Sequence, residues 1–265
     1  MLTDSQKEET PAPITATSDG RGSSGVNEQR YDAQCDGAST GRGHAQLINT
    51  INPERFAPYI QDGADELTGL ARYSLNIALC QALYPSVHCL EIALRNAIHS
   101  ELSEFAGTDL WFDDIEELTD KQRADIAVAR VKLTKSTSAA RITSGQIVAE
   151  LSLGFWTAFF NRHFARLSLS GRLVKSVFKN GPKAKRDRSK IDVRLIAIRN
   201  LRNRIFHHER ILHWKDLDRT HEELLELIHW ICPDMAMMAK RHDTFSKTRK
   251  LGLDPWLLRS SKDGH

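Results

Sequence analysis

Three observations predict an all-α fold for this chain. From about Leu47 onward apolar residues recur three and four positions apart, and alternating runs of β-branched residues are few. With 265 residues and 40% hydrophobic content, the chain can build one sizeable core and needs no second domain.

Residues 1–46 are rich in Thr, Ser, Gly, Asp and Glu and almost devoid of large apolar side chains. Burial there would not offset the entropy of ordering, so a disordered polar tail is expected. A helical-bundle domain is expected over 47–245, followed by a C-terminal extension over 246–265. Its first long helix, from about Asp65 to Leu83, is expected to stop near Tyr84-Pro85, because proline disfavours helical geometry in the residue before it. The next is expected from Ser86 to about Phe105, as an antiparallel neighbour of the first. Thr119 to Lys135 reads as a further helix, Ser144 as the N-cap of a strongly apolar helix reaching about Phe164, and Ser168 to Phe178 as a short one. After a basic loop over 180–189 containing Gly181-Pro182, a long helix is expected from about Lys190 to His208 and a final one from about Asp216 to Met238. No internal repeat of solenoid length is visible.

Charge is segregated along the chain. Residues 101–125 hold nine acidic residues, Asp113, Asp114, Glu116 and Glu117 among them, against Lys121 and Arg123, a balance of −7. Residues 162–215 hold sixteen Lys and Arg against Asp187, Asp192 and Glu209, a balance of +13. Such a stretch attracts phosphate backbones, and Lys183, Lys185, Arg186, Arg188 and Arg204 are its candidate RNA contacts. The plainer reading is a solvated face with scattered ion pairs.

The cysteines, Cys35, Cys80, Cys89 and Cys232, have neither CxxC nor zinc-ligand spacing, which fits reduced thiols. The N-terminus lacks an apolar core of signal-peptide length, and the apolar stretch around Leu151 to Phe160 is too short to span a bilayer. A cytoplasmic protein without membrane insertion is therefore expected.

The candidate chemistry lies in Arg199-Asn200-Leu201-Arg202-Asn203-Arg204-Ile205-Phe206-His207-His208-Glu209, a polar end to a helix whose apolar face is expected to carry Val193, Ile196, Ala197, Leu201 and Ile205. RNA brings its own nucleophile, the 2′-hydroxyl. An enzyme can therefore cleave it without a metal by supplying a base, a cation for the developing phosphorane charge and a proton for the leaving oxygen. An imidazole such as that of His207 can move the protons, and a guanidinium can clamp the phosphate bidentately. At about 100° per residue, Asn203, His207 and Arg199 share a face, but Arg202 stands about 140° from His207. A long arginine side chain, a distorted last turn or a second subunit would each repair that geometry. The competing reading makes His207 and His208 a helix terminus that complements the dipole and bonds the last carbonyls.

A second polar stripe, His88, Glu91, Arg95 and His99 with Asn96 beside it, lies on the helix after Pro85. It reads either as a Glu91–Arg95 ion pair within a buried network or as support for the catalytic helix or a dimer contact. Two other chemistries are excluded by spacing: the histidines of His208-Glu209-Arg210-Ile211-Leu212-His213 are five apart rather than four, and no GxxxxGK[ST] loop is present. Gly154-Phe155-Trp156 sits in an apolar helix where packing explains it. No metal and no cofactor is implied.

Three stretches together resemble the Abi-like (abortive infection) branch of the HEPN superfamily. They are Tyr84-Pro85-Ser86-Val87-His88-Cys89-Leu90-Glu91-Ile92-Ala93-Leu94-Arg95-Asn96-Ala97-Ile98-His99, Ala149-Glu150-Leu151-Ser152-Leu153-Gly154-Phe155-Trp156, and Leu201-Arg202-Asn203-Arg204-Ile205-Phe206-His207-His208-Glu209. The last holds the RNxxxH form of the HEPN signature. The resemblance implies a helical bundle, homodimerisation that brings two RNxxxH helices together, and metal-independent endoribonuclease activity in antiphage defence or as a toxin. An antitoxin or phage-derived trigger is then an expected partner beside RNA. It also implies that Arg202 and His207 are the catalytic pair and Asn203 the orienting residue. From their places on the two helices, His208, Arg199, Glu91, Arg95, Asn96 and His99 are read as supporting residues. The alternative is a non-catalytic RNA-binding or regulatory partner module using the same basic surface.

Overall fold

The computed structural model describes residues 40–135, 142–166 and 168–257, and all of its regular structure is helical, with no strand among the described residues. Of the tail expected over 1–46, residues 1–39 lie outside the described residues. The described residues from His44 onward form one compact unit.

Its spine is a single helix, α3, Glu66–Ala106, capped by Asp65, whose Oδ1 accepts from Thr68 N at 2.8 Å, and closed by Gly107 at φ 70°. Pro85 lies inside it, so the expected break at Tyr84 and the antiparallel pair of helices do not occur. The physical reason lies in which face carries the proline. Its missing N–H leaves the carbonyl of Gln81 without a partner, and Gln81 and Tyr84 are exposed, so water can serve that group. On the other face Ala82, Leu83, Val87 and Leu90 are buried. A proline inside a helix costs about 3 kcal/mol, and each buried leucine returns roughly 1.5–3 kcal/mol. Burial on both sides therefore holds the helix together. By length and composition alone α3 could cross a membrane, and half of its most apolar window is buried within the protein.

Around α3 pack α6 (Leu153–Ala158), α7 (Ser168–Val177), α8 (Arg188–Phe206), α9 (Leu217–Ile231), α10 (Pro233–His242) and α11 (Phe245–Leu251). α4 (Asp120–Thr134) begins with a capping box between Thr119 and Gln122 and lies against α5 (Ser144–Glu150). Trp111, Trp156, Phe159 and Phe164 stack edge to face or tilted at the centre of the core.

Several expected boundaries shift for identifiable reasons. The apolar stretch after 144 is two helices: Thr143 caps α5, Leu151 is extended, and the Ser152 hydroxyl caps α6. The break lets Leu153, Phe155, Trp156, Phe159 and Phe160 all be buried, more than one face of a straight helix offers. The last expected helix divides at Cys232, extended at φ −149° before Pro233, so that α10 folds back on α9 and α3. α1 (Thr40–Ile51) starts inside the stretch expected to be tail, and its Ile48 and Ile51 pack on the small cluster of Phe56, Tyr59 and Leu70. At the other end the boundary at 245 cuts α11, whose Phe245 is buried, and Trp256 still packs on the main core.

The loop before α8 is anchored rather than free. Asn180 donates its backbone N–H to Trp230 O at 3.0 Å and its side-chain amide to Trp230 O and Ile231 O at 3.2 Å. A Cβ on Gly181 would lie 2.7 Å from the buried indole of Trp230, which has no room to move aside. Gly181→Ala should therefore lower stability by about 1–3 kcal/mol in chemical denaturation, and an unchanged midpoint would show that this loop packs less tightly than the structure has it.

Candidate functional site

α8 starts at Asp187, whose Oδ1 accepts from Lys190 N at 3.0 Å. It buries Ile191, Leu195, Ile198, Leu201 and Ile205. The expected apolar face is thus partly rotated: Val193 is 66% and Ile196 38% exposed, and they continue into exposed Asn200, Asn203 and His207. At about 100° per residue these five positions fall within about 80° of one another. This outer stripe is exposed among the described residues.

The end of α8 is a Schellman turn. Glu209 N bonds Arg204 O at 2.8 Å and His208 N bonds Ile205 O at 3.2 Å, with His208 left-handed at φ 57°. A side chain in that region costs about 1–2 kcal/mol, so something must hold the turn. Asn76, 4% exposed on α3, accepts from Ile211 N at 2.8 Å and donates to Glu209 O at 3.4 Å. Arg55 Nη2 donates to His207 O at 3.0 Å, and Arg210 Nη1 donates to Pro58 O at 2.6 Å. His207 itself is the C-cap, at φ −91° and ψ 8°, its N–H bonded to Asn203 O at 2.8 Å. Its imidazole is exposed and, among the described residues, makes no hydrogen bond; neither His207 nor His208 bonds a terminal carbonyl through its ring.

Arg202 points away from this turn, toward α3. Its Nε and Nη2 lie 3.3 and 3.4 Å from the two oxygens of Glu91, and its guanidinium stacks 4.3 Å over the ring of Phe206. Phe206 in turn meets Tyr84, which stacks on His88. The helix end is therefore distorted, but no bond joins the Arg202 and His207 side chains within one chain.

The other expected members of the site disperse. Glu91 pairs with Arg202, not with Arg95, whose buried Nε has no hydrogen-bond partner. His99 leaves the group, because its Nδ1 accepts from Trp111 Nε1 at 2.8 Å, and burial holds its pKa below the ordinary histidine value, with Asp109 opposing. Asn96 is exposed and makes no side-chain hydrogen bond among the described residues. Arg199 donates to Thr157 Oγ1 at 3.2 Å on α6, a packing role. Of the basic loop, Lys185 pairs with Glu226 at 3.1 Å, Arg188 donates to Phe160 O at 2.6 Å and lies 3.7 Å from Asp192, and Arg186 donates to Lys175 O at 3.2 Å. Lys183 is exposed without an ion pair among the described residues. Arg204 lies against Glu209 at 3.3 Å and over Trp214.

Sequence reading missed Asn76, Arg55 and Arg210. Asn76 carried a signal, a polar side chain between Leu75 and Leu79 on a buried face. Arg55 and Arg210 carried none, since their value comes from a turn contact across the fold.

Beside the turn runs a groove of about 490 Å³ between Tyr73, Ile77, Cys80 and Tyr84 of α3 and Ile205 and His208. Burial pushes the Cys80 thiol up to about 11 and also raises Cys89, so neither is a thiolate near neutrality. Among the described residues no three His, Cys, Asp or Glu side chains gather where a metal ion could be held.

Replacing Asn76 by Ala would leave the buried N–H of Ile211 unsatisfied. A loss of about 1–3 kcal/mol in urea denaturation, with faster amide exchange at Glu209 and Ile211, is the expected outcome; unchanged exchange there would mean that Asn76 does not hold the turn.

Comparison with family models, with curated proteins and with solved structures found no match to this chain, so the site stands on its own geometry.

Proposed function

We propose that this chain is a metal-independent endoribonuclease that cuts RNA at Arg202 and His207, acting in abortive infection or as a toxin in the cytoplasm. The observation that carries this reading is the contrast at the end of α8: Arg202 is oriented by Glu91 and Phe206, while the neighbouring His207 has its backbone clamped and its imidazole unengaged. A fixed cation and a free imidazole are the two groups that 2′-hydroxyl attack requires. The imidazole takes the 2′-proton as the oxygen attacks phosphorus, the bond to the 5′-oxygen breaks, and that oxygen leaves protonated. The products are a 2′,3′-cyclic phosphate and a 5′-hydroxyl.

Glu91 neutralises Arg202 at rest through bonds of 3.3 and 3.4 Å, long enough for a phosphate to displace them. Arg202 Nη1 makes no hydrogen bond among the described residues and is the first donor available to a phosphate oxygen. The Tyr84-lined groove suits an unstacked base.

Because Arg202 and His207 do not meet within one chain, the complete site belongs to a homodimer. The stripe of Val193, Ile196, Asn200 and Asn203, exposed among the described residues, supports packing of α8 on α8 of a second copy, which would bring two His207 side chains together, one as base and one as acid. The RNxxxH resemblance points the same way. A non-catalytic RNA-binding or regulatory module is the competing reading.

Purified protein incubated with total RNA in EDTA should cleave it, and His207→Ala and Arg202→Ala should each lower the rate by about 10² or more. Equal cleavage by all three proteins would remove the site assignment, and binding at low salt without cleavage would favour the competing module.

A further inference from the structure

On the far side of α8 from Arg202 lies a second basic cleft, of which the ribonuclease reading names only Arg204 as an RNA contact. Arg204 leaves the helix about 160° from Arg202. It faces a hollow of about 360 Å³ between the Arg55–Tyr59 segment and the turn after α8. Its lining includes Arg55, Tyr59, Arg204, Arg210 and His213, together with the carboxylate of Glu209.

Three guanidinium groups meet there against one carboxylate. Glu209 pairs with Arg204 at 3.3 Å, while Arg55 and Arg210 have no carboxylate partner among the described residues. Each is nevertheless held in place. Arg55 donates one Nη to His207 O, and Arg210 stacks 5.6 Å over Tyr59 and donates to Pro58 O and Gln61 Oε1. Their remaining N–H groups are pre-oriented without the entropy loss that weakens surface lysines. The positive potential has a second witness: partial desolvation, with Arg204 and Arg210 adding to it, holds the pKa of His213 below the ordinary histidine value. Two guanidinium ions without a carboxylate partner among the described residues, held by hydrogen bonds and lining one concave site with a third, fit a phosphate oxyanion.

We infer that the Arg55–Arg204–Arg210 cleft is a binding subsite for a backbone phosphate of the RNA strand, one that lies across the His207 turn from Arg202. The inference deepens the ribonuclease reading and rests on it for the identity of the strand. His207 stands between the two arginine sites around α8, and Arg55 touches both the cleft and the His207 carbonyl. A strand crossing the turn would thus be gripped on both sides of the imidazole. Phosphate contacts fix register without reading sequence, so the subsite would place the strand rather than select it.

The test uses the full chain with two probes, inorganic phosphate and a short 2′-deoxy oligonucleotide that lacks the attacking hydroxyl. Each should raise the His213 pKa by about half a unit or more, read from the pH dependence of its imidazole resonance, because an anion now faces the ring. Arg55→Gln and Arg210→Gln should each weaken oligonucleotide binding roughly tenfold and flatten its salt dependence. The shift in the wild-type protein needs no variant, so it stands even if Arg210→Gln fails to fold. A His213 pKa unmoved by both probes overturns the inference, and a response to phosphate but not to the oligonucleotide overturns its assignment to a nucleic-acid strand. Failure of the catalytic reading is separately visible: His213 would respond to both probes while RNA stays uncut in EDTA.

Discussion

The candidate site depends on α3 running unbroken through Pro85. Asn76 holds the turn after α8 and Glu91 holds Arg202, and the two sit about four turns apart on the same side of this one helix. Were the helix to break at Tyr84, these two supports would belong to separate elements, and the spacing between the turn and Arg202 would be set by a loop. Continuity through the proline instead makes α3 a rigid bar against which the end of α8 is positioned. The proline is tolerated because its orphaned carbonyl faces water while the opposite face is buried.

The turn after α8 gains its definition from the same logic. A left-handed histidine is an unfavourable backbone state, and it persists because Asn76 and Arg55 bond peptide groups of the turn from two other elements, while Arg210 of the turn itself reaches out to Pro58 O. None of these bonds uses the imidazole of His207. The backbone is fixed and the ring left free, which is the division that an acid or base requires. On the opposite side, Phe206 and Glu91 fix Arg202 while leaving part of its guanidinium open. The outer stripe of α8 is exposed among the described residues and leads directly to His207.

The all-helical class was legible in apolar spacing, and so were the ends of α4, α7 and α8 to within about two residues, because the apolar period and the breaks in it are local signals. What was illegible depended on burial. Tyr84-Pro85 and Cys232-Pro233 carry the same local signal, yet the helix continues through the first and stops at the second. The difference lies in what each flank packs against, which no window of sequence contains. The same holds for α8: a periodic pattern marks an apolar face, but Val193 and Ile196 satisfy the period as well as Leu195 and Ile198 do, and only the packing shows which pair is covered. Among candidate site residues, the Arg202–His207 segment was visible as a local cluster of chemistry. The pairing of Glu91 with Arg202 rather than Arg95, the loss of His99 to Trp111 and the arrival of Arg55 are contacts between distant segments.

The most direct test of the proposed chemistry is the identity of the RNA ends. If the imidazole of His207 and the guanidinium of Arg202 act on the 2′-hydroxyl, end analysis of fragments produced in EDTA will find 2′,3′-cyclic phosphates and 5′-hydroxyls. Fragments carrying 5′-phosphates and 3′-hydroxyls would mean that water rather than the 2′-oxygen attacks phosphorus, and would contradict the account.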